Sequence, residues 1–124
     1  MRDQKLWFWH VAAGIVILVF LALHMTIMHL DGLVRVGNPA GGHPIDWANV
    51  VARGKGLFFP ATYVVLLGAA LFHGLYGLRN IIFEVASAPG VRTVMSWLLI
   101  LVGLAVFAVG TWAALASHQV ALAA

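Results

Sequence analysis

Three long apolar runs, separated by polar connections, decide what this chain can fold into. The first, Leu6 to Leu30, contains no Lys, Arg, Asp, Glu or Pro over about 25 residues. At about 1.5 Å of rise per residue, a helix of that length crosses a hydrocarbon core of about 30 Å with some tilt. Lipid offers no water to unpaired backbone groups, so such a run is restricted to a structure that satisfies them internally. Leu57 to Phe83 and Thr93 to Ala116 meet the same requirement. The expected fold class is all-α integral membrane, a single membrane-anchor domain (1–124) with transmembrane helices at about 6–30, 57–84 and 93–116. The first run reads as a span rather than a signal peptide: it exceeds a usual h-region, and no small-x-small cleavage site follows Leu30. Trp7, Phe8 and Trp9 at its start, and Trp97 and Trp112 near the ends of the third run, fit interfacial aromatic belts.

The intervening segments read as connections. Met1 to Lys5 is a short polar tail. Asp31 to Gly56 carries Gly37, Gly41, Gly42, Pro39 and Pro44, which predicts an irregular link, with a short interfacial helix over Ile45 to Val51 that starts near Asp46 and turns Trp47 to lipid. Pro60 falls in the first turn of the second span, where its missing N–H is tolerated. Val85 to Arg92, with Ser87-Ala88-Pro89-Gly90, reads as a tight turn. Ser117 to Ala124 reads as a tail. Gly103 and Gly110, seven apart, share a face of the third helix and permit close helix contact. Arg2, Lys5, Arg79 and Arg92 lie on one side, and Arg35, Arg53 and Lys55 on the other. Four against three is a slight excess, and on it the N-terminus is expected in the cytoplasm; the expected location is a prokaryotic-type cytoplasmic (inner) membrane, crossed several times.

Composition then excludes several chemistries. Cysteine is absent, so there is no disulfide, no c-type haem attachment and no thiolate-held iron–sulfur cluster. The formal charge of +3 comes from seven scattered basic residues against four acidic ones, which gives no basic patch for nucleic acid. No Ser/His/Asp triad, paired carboxylates, HExxH or phosphate-binding glycine loop is present. Six histidines remain in a chain that is only 9% charged.

Of these, His73 stands deepest in an apolar span, where an ionisable group is a functional hypothesis by default. Ala69 and Gly77 lie four residues to either side and Ala70 three before, so its face is nearly bare. A flat macrocycle fits a bare face beside an imidazole, which makes His73 a candidate axial haem ligand. The bland alternative is a histidine hydrogen-bonded between helices. His24 is flanked by Phe20, Leu21, Ile27 and Met28, a tighter setting open to either a ligand or a packing role. His10, with Ala13 and Gly14 following at helical spacing, lies near the interface as a candidate for a haem propionate or, second, for the iron. His29, His43 and His118 read as surface or interfacial histidines, and Met25 and Met28 as packing. Arg79, Asn80 and Glu84 close the second span, where they line a quinone pocket, pair with propionates, or simply snorkel or dock a soluble partner. Counted along alternating helices, His24 and His73 fall at different depths. That favours two haems, each taking one ligand here and one from another polypeptide.

In order, His10-Val-Ala-Ala-Gly14, Phe20-Leu21-Ala22-Leu23-His24-Met25-Thr26-Ile27-Met28-His29 and Phe72-His73-Gly74-Leu75-Tyr76-Gly77-Leu78-Arg79 resemble the cytochrome b membrane anchors of succinate:quinone and quinol:fumarate oxidoreductases (complex II). The dihaem anchors are nearest: they read H-x-x-x-G and later F-L-x-x-H-x-x-x-x-H on helix one, then F-H-x-x-Y-G-L on helix two. The resemblance covers about two-thirds of the chain. It implies a haem-binding helix bundle in which His24 would ligate the distal haem iron and His73 the proximal one. Single-chain dihaem anchors have five helices and four ligating histidines. This chain has three spans and no histidine inside the third, so the resemblance implies half a bundle, completed by a sister membrane-anchor subunit. Expected partners are that sister, an iron–sulfur protein, a flavoprotein, membrane lipid and quinone. The expected cofactors are haem b, two shared with the sister, and quinone near Arg79 and Glu84. Succinate or fumarate chemistry would reside on the soluble subunits. The alternatives are a haem b anchor for a hydrogenase or formate dehydrogenase, a single-haem version using His73 alone, and a haem-free structural anchor.

Overall fold

The computed structural model describes residues 2–30, 38–86 and 88–124, without the side chains of Arg2 and Asp3. It contains four helices: α1 (Arg2–His29), α2 (Trp47–Lys55), α3 (Phe58–Val85) and α4 (Pro89–Ala123). No strand occurs among the described residues. α1, α3 and α4 are each long and apolar enough to cross a membrane. At about 1.5 Å per residue, α1 and α3 measure about 42 Å and α4 about 52 Å.

α3 is the middle helix, with α1 packed on one side and α4 on the other, both antiparallel to it. Small residues set how closely they approach. On α4, the Leu75 side chain fills the space above Gly103, where a Cβ would lie 2.7 Å from its Cδ1, and Leu67 fills the space above Gly110. The close contact expected of these two glycines is therefore made, and it is made with α3.

Several helix boundaries differ from the sequence reading, among them that of α2, which runs Trp47–Lys55 where 45–51 was expected. The polar start does not stay outside the first helix, because α1 begins at Arg2. The turn expected over 85–92 shrinks to Ala86–Ala88, with Ser87 outside the described residues. Pro89 opens α4, since a first-turn position has no use for the N–H that proline lacks. Arg92 then donates from Nε to the Ala86 carbonyl (2.7 Å) and from a terminal nitrogen to the Phe83 carbonyl (2.6 Å). It so caps carbonyls that the end of α3 leaves unpaired. At the other end α4 does not stop at Ala116, because Ser117 to Ala123 holds no glycine or proline to break it.

The link between α1 and α3 is a compact polar cap where it is described; Asp31 to Gly37, including Arg35, lie outside the described residues. Gly41 and Gly42 both take φ +71°, a left-handed turn that side chains rarely adopt. Asn49, fully buried, closes this turn by accepting from Ala40 N (3.0 Å) and donating to the Gly41 (2.7 Å) and His43 (3.0 Å) carbonyls. Asp46 precedes α2 and accepts from His43 N at 2.8 Å. Arg53, buried on α2, donates to Asn38 Oδ1 (2.6 Å) and the Pro44 carbonyl (2.5 Å), and Asn38 donates in turn to the Ile27 carbonyl (3.1 Å). α2 lies against the last turns of α4, where Gly54 leaves room for Ala121 and His118 Nδ1 donates to the Gly54 carbonyl (2.6 Å). His118 is thus a link between helices rather than a surface histidine. Trp47 on α2 is 63% exposed.

Candidate functional site

His10 and His73 meet face to face between α1 and α3. Their rings stack with centroids 4.1 Å apart and planes within 6°. His73 Nδ1 lies 3.0 Å from the His10 carbonyl oxygen. A backbone carbonyl only accepts, so Nδ1 carries the hydrogen and, in the neutral ring, the lone pair is on Nε2. Holding one ring nitrogen as a donor so that the other can bind a metal is the usual outer arrangement of a ligating histidine.

Glycines make this contact possible. A Cβ on Gly14 would lie 3.1 Å from His73 Cε1 and 3.2 Å from its Nδ1, so the missing side chain is what lets His73 reach the carbonyl one turn earlier. A Cβ on Gly77 would lie 3.4 Å from His10 Cε1. The motifs His10-x-x-x-Gly14 and His73-x-x-x-Gly77 therefore interlock, each glycine seating the other helix's histidine. The bare face around His73 is in this way largely taken by α1. Tyr76 completes the level, its ring centroid 5.3 Å from that of His10. His10 Nδ1 is buried and has no hydrogen-bond partner among the described residues, which costs on the order of 1–3 kcal/mol.

His24 occupies a second level, fourteen residues along α1 and so about 21 Å from His10. Its ring meets the edge of Tyr63 at 6.4 Å. Phe20, Leu23, Ile27 and Met28 of α1 and Phe59, Thr62, Tyr63 and Leu66 of α3 leave beside it a cavity of about 20 Å³, room for about one water molecule. His24 and His73 are not brought together.

Arg79 and Glu84 part company. Five residues separate them, about 140° around a helix. Arg79 enters a groove of about 620 Å³ between α3 and α4, whose other walls include Phe72, Leu75, Tyr76, Ser96 and Phe107. Its Nε donates to Ser96 Oγ at 3.4 Å, and its guanidinium lies 4.2 Å from the Phe83 ring centroid. Glu84 is exposed and does not line the groove. By helical angle the groove lies on nearly the opposite side of α3 from His73. Sequence reasoning passed over Tyr63 and Ser96 and named Tyr76 only as part of a motif. Tyr63 follows from the α1–α3 register, since pairing residue 14 with 73 sets 24 opposite 63.

Among the described residues no group of three or more His, Asp or Glu could hold a metal ion. An axial haem position asks for only one imidazole per chain, and His73 fits it: one nitrogen is committed to a carbonyl and the ring plane is fixed by a stacked neighbour. His24 fits less closely, since no hydrogen bond orients its ring among the described residues. His10, stacked on His73, stands where it can orient that ring. No family model, curated protein or solved structure matches the chain.

Proposed function

We propose that the chain is the haem b-binding membrane anchor subunit of a succinate:quinone oxidoreductase or quinol:fumarate reductase, acting with a sister anchor, an iron–sulfur protein and a flavoprotein. The observation that carries this reading is His73, with Nδ1 committed to the His10 carbonyl and Nε2 left as the basic nitrogen. His73 would hold the proximal haem and His24 the distal one; bound there, haem b supplies one-electron transfer between the iron–sulfur protein and membrane quinone. The chain's own part is to orient the imidazoles, keep the sites dry and offer a polar end to the quinone. Arg79 and Ser96 would donate to quinone oxygens at one end of the α3–α4 groove, and its apolar walls would take the tail. The reduced-minus-oxidised spectrum of the complex purified with its partners tests the reading: a b-type band is expected, and His73→Ala should remove the share of it due to one haem.

A haem-free structural anchor is the second reading. It is favoured by the fact that His73 already has a hydrogen-bond partner and a stacked neighbour inside this chain. A purified complex without a b-type band would establish it.

A further inference from the structure

We propose that His10 is the positioning residue for His73: its ring, stacked on the His73 imidazole, fixes the plane that imidazole presents to the haem. The proposal rests on the haem reading above and goes beyond it in giving His10 a role other than propionate binder or ligand.

Three observations converge. First, the rings are 4.1 Å apart and within 6° of parallel, so rotation of His73 about its Cβ–Cγ bond drives it into the His10 ring. Second, the hydrogen bond from His73 Nδ1 ends on the backbone carbonyl of that same residue, so residue 10 holds His73 by its edge and by its face. Third, His10 Nδ1 is buried without a partner among the described residues, so what the His10 ring offers His73 is its face and not a hydrogen bond from that nitrogen. The two glycines belong to the same device: Gly14 admits the His73 ring and Gly77 admits the His10 ring. An axial imidazole whose plane is fixed gives ferric haem a fixed electronic anisotropy, and a released plane changes it.

The test compares the wild-type complex, purified with its partners, with His10→Phe and His10→Leu. Phenylalanine keeps a flat ring in the stack, whereas leucine fills the space without one, and both leave the backbone carbonyl in place. Haem content is measured together with the low-temperature electron paramagnetic resonance spectrum of the oxidised complex. The expected result is unchanged haem content in both variants, a wild-type spectrum for His10→Phe, and a displaced low-spin signal from one haem alone for His10→Leu. The same spectrum in all three proteins overturns the positioning role. Loss of one haem in both variants also overturns it, because His10 would then be a ligand. If His10→Leu does not assemble, His10→Val, which also lacks a flat ring, takes its place and is read in the same way. A wild-type complex without haem b removes the haem reading, and this proposal with it.

Discussion

Two histidine levels lie between the same pair of helices and are built in opposite ways. At the His10–His73 level, two glycines remove side chains and two imidazoles fill the space, tied by a hydrogen bond across the helices. At the His24 level, Phe20, Phe59, Tyr63 and Leu66 fill it instead, and His24 meets a tyrosine edge beside a cavity of about 20 Å³. The difference teaches that a histidine in an apolar helix is informative in proportion to what has been cleared away around it. His73 is oriented by three separate features, and His24 by packing alone.

The largest effects should come from removing each ring. In a dihaem complex, His73→Ala and His24→Ala should each eliminate one of two haems, measured as haem per complex by pyridine haemochrome. An unchanged haem content in His24→Ala would make the second level a packing level and sharpen the contrast. Next comes Gly14→Ala. Its Cβ would press on His73 Cε1 at 3.1 Å, and disturbing such an outer contact typically costs about 10–100-fold in affinity for the bound metal group. Haem retention on dilution should fall at one level only. Arg79→Gln should raise the KM for quinone by about 10-fold or more, given about 1.5–3 kcal/mol for a hydrogen bond from a charged donor, and leave both haems in place. Smallest of all, Asn49→Ala should lower stability by about 1–3 kcal/mol, because the carbonyls of Gly41 and His43 lose their donor. Thermal unfolding of the detergent-solubilised protein should show it, with the spectrum of both levels unaltered.

Much of this was legible in the sequence, because hydrophobic length and small-residue spacing are local signals. The three long helices follow from unbroken apolar runs, and Gly103 and Gly110 announce a helix contact by their separation alone. The boundaries were harder to read. Ser117 to Ala123 reads as a tail by position, yet without a breaker it continues as helix, and Arg92 reads as a sided charge although it caps α3. The face-to-face meeting of His10 and His73 depends on the register between helices 63 residues apart in sequence, which no local pattern carries. Glu84 was grouped with Arg79 by nearness along the chain, whereas the turn of the helix separates them.

The nine-residue helix α2 has a consequence for how deep the protein sits. It is joined to α4 through His118 and Gly54, and to the end of α1 through Arg53, Asn38 and the Ile27 carbonyl. An exposed Trp47 and the polar cap around it suit the headgroup zone of a bilayer. The ends of α1 and α4 are thereby tied to the same short helix, and α4, at about 52 Å, far exceeds a hydrocarbon core of about 30 Å. With α2 in the headgroup zone, sliding at that end would carry a polar cap into hydrocarbon. In a bilayer of another thickness the mismatch would fall at the opposite helix ends, where Arg79 meets Ser96 and Arg92 caps α3.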